Sequence, residues 1–484
     1  MNYRILTALI AAACAFAQAP RAPQEAMKPL HPLDESYLVW PVSPENKAYA
    51  AIDGKHLKEY VEEQAAISRA YRDKGHQFWG RIIGTEADQQ NAEWMMGIMR
   101  KAGLTDVHQQ MFDLPPQWMP QSWSVTASSD GQTIDLATAQ PTHRAPGTDA
   151  AGLDLEAVDV GMATPGDLAN RDLRGKAVFF YSNDFFSRHA TANNGAWKRL
   201  EDLGAAAIFI TLNIPGNART QFYPVNTKVP TFSLGYQDGL AVHEMIGKAR
   251  GAAAPHVRIK MDVQMVPGEK TSTVWSTLPG TTDETVIITA HRDGWFEGAN
   301  DNGTGVATML GLAEYFAKIP KEQRRRTIIF LGTSGHHDGT AESGTWLSQH
   351  KEVFAKNALL INCEHTAVND LIIGNGVVTK SNWAAPLNWY IGGSKRLEDI
   401  AVKAYAAFGV PTDEIPARTP AGEIGRIYQN SPAIQLIGTG LFWHSERETA
   451  DVIPAPALAN VTRAYAKIIA DIDNVPLKDL QRAN

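Results

Sequence analysis

The sequence is poor in cysteine, in net positive charge and in long apolar runs. It has two cysteines, Cys14 and Cys363, in 484 residues, which excludes a disulfide scaffold of the kind that holds small secreted domains together. The net charge is -7 and the pI about 6.1. Nucleic-acid-binding domains normally carry a basic face, so no nucleic-acid partner is expected. No stretch reaches the roughly 20 apolar residues of a membrane-spanning helix, so no transmembrane anchor is expected either. What is present is ordinary for a globular chain, with 44% hydrophobic and 20% charged residues and a length for two or three domains at about 150 residues each.

Arg4 precedes an apolar run over residues 5–13, followed by Ala15-Phe16-Ala17 and Ala17-Gln18-Ala19. Both triplets fit small-x-small cleavage, so residues 1–19 read as a signal peptide and predict export, periplasmic or secreted. A lipid anchor through Cys14 is the alternative. After cleavage Cys363 remains alone, and stability must come from core burial or bound metal. Residues 20–50, with Pro20, Pro23, Pro29, Pro32, Pro41 and Pro44, read as an extended arm or linker without a function of its own. Residues 55–70 read as a helix. Thr85-Glu86-Ala87-Asp88 looks like the capped start of another, with Ala92, Met95, Met96 and Met99 as a core face and Gly103 beyond its end.

Between 126 and 268, β-rich runs at 158–160, 177–181 and 207–210 are punctuated by Gly175, Gly195 and Gly204. Three segments occur in order: Asp172-Leu173-Arg174-Gly175-Lys176, then Leu203-Gly204-Ala205-Ala206, then Val229-Pro230-Thr231-Phe232-Ser233. Together they resemble a protease-associated domain. From Thr273 onward, apolar runs at 286–288, 328–331, 359–361 and 433–437 alternate with helical segments. This predicts an α/β fold with a doubly wound, mostly parallel sheet, whose functional groups gather beyond the carboxyl ends of the strands.

Those ends carry the chemistry. His291-Arg292-Asp293 follows one strand, and Asp301 sits in the glycine-rich turn Gly298 to Gly305 before a helix. Gly335-His336-His337-Asp338, Glu364 and Trp443-His444 follow three others. Five nitrogen and oxygen donors, His291, Asp301, His337, Glu364 and His444, suit two zinc ions sharing a bridging carboxylate. Asp293 is expected to fix the tautomer of His291 through its other ring nitrogen.

With these residues in view, residues 55–475 resemble the secreted zinc metallopeptidases of the aminopeptidase and glutamate carboxypeptidase group, in which a protease-associated domain is often inserted. The resemblance rests on His291 to Gly305, Asn362-Cys363-Glu364 and His444-Ser445-Glu446-Arg447-Glu448-Thr449-Ala450-Asp451. It implies a co-catalytic zinc peptidase fold with peptidase parts at 51–125 and 269–478 and the insert at 126–268. It further implies that His291 and Glu364 bind one ion, His444 the other, and that Asp301 bridges them. The family's usual pair of adjacent glutamates, base then ligand, is replaced here by His336 and His337. His337 is then expected as a ligand and His336 as the catalytic base, with Asp338, Glu297 and Glu342 as alternative bases.

Trp295, Phe296 and Trp443 are candidates for an apolar substrate pocket or for aromatic core packing, and Arg426 and Tyr428 for binding a substrate carboxylate or for stabilising their loop. Alternation along an extended chain points His365 away from the site. Cys363 reads as a buried strand residue and Lys321 to Arg326 as a solvated turn. The expected activity is metal-activated hydrolysis of peptide or small amide bonds. The alternatives are a metal-binding pseudo-peptidase without turnover, or a metal-dependent hydrolase of another bond.

Overall fold

The computed structural model describes residues 35–182, 195–249, 253–337, 346, 348–374, 377–426, 429 and 431–481. The expected signal peptide, Cys14, Asp338, Glu342 and Tyr428, and the side chain of Arg426, lie outside the described residues.

The seven-stranded sheet that carries the site is built from β1 (Val107–Asp113), β2 (Lys270–Leu278), β3 (Thr285–His291), β4 (Thr327–Thr333), β5 (Asn357–Cys363), β6 (Asn388–Gly392) and β7 (Ala433–Ile437), in the order β6-β7-β5-β3-β4-β2-β1. The four apolar runs read from the sequence are β3, β4, β5 and β7, and these pair in parallel at the centre of the sheet. The edges are antiparallel, with β6 on β7 at one side and β2 between β4 and β1 at the other. The sheet is therefore mixed around a parallel core, with five of its seven strands running the same way.

Every residue of β3 and of β5 is buried, as expected of strands covered on both faces. Side chains alternate between the two sides. Val286, Ile288, Phe330, Leu359 and Ile361 join the large cluster under the helices, whereas Ile287, Ile329, Leu331 and Leu360 meet Trp346, Tyr390 and Ile424 on the other face. Truncating one such side chain to alanine costs about 2–5 kcal/mol. The helical layer is α1 (Gly54–Asp73), α2 (Glu86–Lys101), α3 (Gly305–Ala317), α4 (Lys395–Ala407) and α5 (Ala455–Ile472). Asp53 caps α1 by accepting from the Lys55 amide. Thr85 instead donates to the Ile82 carbonyl at 2.6 Å and leaves α2 without a side-chain cap. The methionine stripe Met95, Met96 and Met99 is buried in this layer, as its spacing predicts.

Among the described residues the second sheet has eight strands. Its parallel part runs through Leu153–Asp159, Ala177–Ser182, Ala207–Leu212 and Thr231–Leu234. Gln117–Ser129 and His256–Val266 pair antiparallel beside it, so this sheet begins at Gln117, ahead of the boundary expected at 126. Phe179, Phe209 and Phe232 stack in its core at 4.5 and 5.2 Å.

The proline-rich arm is not extended over its described part. Pro44–Ala51 is a 3-10 helix with proline at its start, and Tyr49 packs on Tyr315 and Phe408. Proline fixes the φ that a first helical turn needs, and that is how a proline-rich stretch here becomes a helix start.

Candidate metal centre

The parallel register aligns the carboxyl ends of the strands. His291 lies opposite Thr333, Thr289 opposite Asn362, and Cys363 opposite Leu436. Beyond these ends the chain bends sharply, and hydrogen bonds fix each bend. Asn302 donates to the carbonyls of His291 and Cys363, both at 3.0 Å, and accepts from the His365 amide at 3.0 Å. One side chain thus ties the end of β3 to the end of β5. Position 305 has no room for a side chain, because a Cβ would overlap the Cys363 carbonyl and the Asn302 side chain. Gly422 is equally confined against Glu364. The buried Arg81 donates to the carbonyls of Arg292, Glu297 and Gly298 at 2.6–3.0 Å, and Arg292 pairs with the buried Asp88. Two desolvated guanidinium groups therefore brace the loop between His291 and Asp301.

At the centre is the buried carboxylate of Asp301. Its Oδ2 lies 3.2 Å from His337 Nε2 and 2.8 Å from His444 Nε2, and its Oδ1 lies 3.3 Å from His291 Nε2. Glu364 Oε1 is 3.9 Å from His291 Nε2 and 3.7 Å from His336 Nε2. His291, His337 and His444 converge on Asp301, whereas Glu364 lies with His291 and His336. His336 is also there, its ring stacked on His291 at 4.2 Å.

Two expectations, for Asp293 and His365, need correction, and of the two readings for Trp295 and Phe296 the structure takes core packing. The Asp293 carboxylate does not chiefly serve His291. His291 Nδ1 donates to the Asp293 main-chain carbonyl at 3.2 Å, while Asp293 Oδ2 accepts from the amide and Nδ1 of His337, each at 3.0 Å. Asp293 orients both rings, one through its backbone and one through its side chain. Trp295 and Phe296, proposed for a pocket, are buried in the aromatic core of the second sheet, and Trp295 packs on His337 and His444 at 4.5 and 4.7 Å. His365 does not point away. Its φ is +49°, so the strand alternation is broken there and its Nε2 lies 3.1 Å from Asp301 Oδ1.

Among the remaining candidates, Glu297 is engaged by Arg69 at 2.9 Å, which leaves it poorly placed as a base. Trp443 is half-buried and donates from Nε1 to Asp301 Oδ2 at 2.7 Å, so it braces the carboxylate.

Sequence reasoning missed two other residues. Glu448 accepts the Asp301 amide at 2.6 Å and the His444 amide at 2.7 Å, one on each oxygen. Its signal was a carboxylate four residues after His444, inside a motif already singled out. Tyr223 arrives from the second sheet with its hydroxyl 3.5 Å from His336 Nε2, and nothing local in the sequence announces it. Its segment is locked to the His444 turn. The Gln221 amide donates to the His444 carbonyl at 2.8 Å, and the Arg219 guanidinium meets Glu446 at 3.0 Å.

The electrostatics call for cations. Burial pushes the Asp301 carboxyl up, but His365 and His337 outweigh it and hold the group well below the carboxylate range. Burial opposes charge on His291 too, yet Asp293, Asp301 and Glu364 raise it to about 9. His336, by contrast, is lowered to about 4 by burial and by His291. Burial and Asp301 push Glu448 up to about 8. His291 Nε2 and Asp301 Oδ1 are buried, face each other, and have no hydrogen-bond partner. A mixed imidazole and carboxylate donor set with orphaned atoms turned inward fits zinc.

Residues 273–469 match the family model of peptidase family M28. Aminopeptidase YwaD of Bacillus subtilis is 26% identical over 281 residues, 54% of this chain and 55% of the relative. A probable glutamate carboxypeptidase of Arabidopsis thaliana, LAMP1, is 32% identical over 79 residues, 16% of this chain and 12% of the relative. The chain thus spans about half or less of the curated relatives it matches. Among solved structures, the zinc aminopeptidase BSAP from Bacillus subtilis superposes with TM-score 0.63 at 17% identity, covering 89% of this chain and 98% of that one. A peptidase M28 precursor from Shewanella amazonensis gives 0.67 at 17% identity, with 91% and 100% covered. These structures share the fold.

Proposed function

We propose that this chain, whose residues 273–469 match the model of peptidase family M28, is an exported, zinc-dependent hydrolase of peptide or related small amide bonds that uses two ions. The observation that carries the reading is the placement of imidazole and carboxylate donors on both oxygens of the buried Asp301. In this reading His291, Asp301 and Glu364 hold one ion, and Asp301, His337 and His444 the other. Bound zinc would polarise the scissile carbonyl and lower the pKa of the attacking water.

The chain's own groups do the rest. Asp293 holds His337 with its Nε2 lone pair turned inward, because a carboxylate accepting on Nδ1 leaves the other nitrogen bare. Glu448 anchors the two main-chain segments that carry Asp301 and His444. His336, half-buried and neutral, receives the water proton at Nε2 and passes it to the leaving amine. The N-terminal pattern supports export, and the order of motifs between 126 and 268 supports a protease-associated domain.

A second reading has one observation in its favour. An imidazole lowered to about 4 is a weak proton acceptor, which suits a metal-binding pseudo-peptidase without turnover. The experiment that decides is hydrolysis of a broad dipeptide and aminoacyl-amide panel by zinc-loaded protein, read as amine release. Release above the metal-free control supports the first reading, whereas zinc binding with no release on any substrate supports the second.

A further inference from the structure

His365 is 2% exposed, and neither of its ring nitrogens has a hydrogen-bond partner. Its Nε2 nevertheless lies 3.1 Å from Asp301 Oδ1, the same oxygen that lies 3.3 Å from His291 Nε2. Neither approach is aligned as a hydrogen bond, and Asp301 Oδ1 is itself without one. The placement is built in, because the His365 amide is fixed by Asn302 and the left-handed φ at this residue turns the ring toward the carboxylate.

Without a cation the ring holds two buried nitrogens that make no hydrogen bond, and each such group is costly to leave unsatisfied. A ring that gives its Nε2 lone pair to a cation leaves only one such group. The separations agree with the second case. Zinc bonds of about 2.0–2.1 Å at tetrahedral angles put neighbouring donor atoms about 3.3 Å apart, close to the 3.1 and 3.3 Å seen around Oδ1.

Building on the metal reading above, we infer that His365 is a metal ligand, so that His291, His365 and Asp301 Oδ1 hold one divalent transition-metal ion while His337, His444 and Asp301 Oδ2 hold the other. Two imidazoles then face each oxygen of the bridge. Glu364 reaches His291 Nε2 only at 3.9 Å and lies with His291 and His336 rather than with Asp301 and His365, so each set counts three protein donors and keeps a position open for substrate.

The test is zinc stoichiometry and chelator-competition affinity on purified full-length protein, native and His365→Gln. The expected result is two equivalents in the native chain, and in the variant the loss of one equivalent or at least a tenfold weakening of one site. Two equivalents with unchanged affinities in a folded variant would overturn the inference. Binding of no zinc by the native chain would overturn the inference together with the metal reading beneath it. Should the variant fail to fold, zinc-edge anomalous diffraction from native crystals decides. An ion peak in bonding contact with His365 Nε2 sustains the assignment, and two peaks neither of which touches it refute it.

Discussion

Replacing Glu448 by glutamine changes one oxygen to an amide nitrogen and leaves volume and burial nearly as they were. In the native chain its two oxygens accept from the amides of Asp301 and His444 at 2.6 and 2.7 Å. Glutamine retains one acceptor and turns a donor toward the other amide. Above the pH of about 8 to which the Glu448 pKa is raised, one hydrogen bond to a charged group is lost, at about 1.5–3 kcal/mol, and the surviving one weakens from charged to neutral, by roughly half. The sum is about 3 kcal/mol. At about 2.1 cal/mol/K of unfolding entropy per residue, a chain of this length loses about 3 °C in Tm. The more specific consequence is for metal, since the freed amide belongs to a ligand residue. Removal of such a supporting partner costs about 10–100-fold in metal affinity. Chelator-competition titration of zinc, alongside thermal unfolding of the metal-free protein, measures both effects. A lowered Tm with zinc affinity within twofold of native would show that Glu448 supports the fold and not the ligands, and would refute the reasoning.

Asp301→Ala removes the carboxylate on which both donor sets converge, so zinc content measured by elemental analysis should fall toward zero and not to one equivalent. His336→Ala should lower kcat with zinc content unchanged, because a base acts in the transition state; loss of an ion would instead make His336 a ligand. Away from the site, burial lowers the His56 pKa, but Glu314 at 3.1 Å and Glu59 at 3.3 Å raise it above 6.5 on balance. Its stabilising contribution is therefore complete below pH 6.5 and is lost as pH rises through the raised value. His56→Gln should flatten the Tm–pH curve on that side, and an unchanged curve would remove His56 from the account.

The parallel strands and the polar residues beyond their ends were legible because the signal is local. A run buried on both faces must be apolar throughout, as in β3 and β5, and the polar residue that ends it marks the end of the strand. Where the chain leaves regular geometry the sequence misleads. Strand alternation gives the wrong side for His365, because φ at that residue is positive and period-two reasoning stops there. The Asp293 carboxylate was assigned to its near neighbour His291, whereas the turn carries it to His337, on a different strand. Tyr223 reaches the site through pairing of residues 219–221 with the turn at 444–446, a contact between segments more than two hundred residues apart that no periodicity encodes. Trp295 and Phe296 read as a pocket beside the ligands or as core, and the second sheet packs over them and makes them core.

The central claim is that paired ions on Asp301 drive hydrolysis by this chain. Its most direct test is reconstitution, in which chelated protein is titrated with zinc while amine release from an aminoacyl-amide or dipeptide substrate is followed. The account predicts no turnover without metal and a rise to a plateau at two equivalents per chain. Turnover that survives complete zinc removal, or its absence at every zinc loading across the substrate panel, would contradict it.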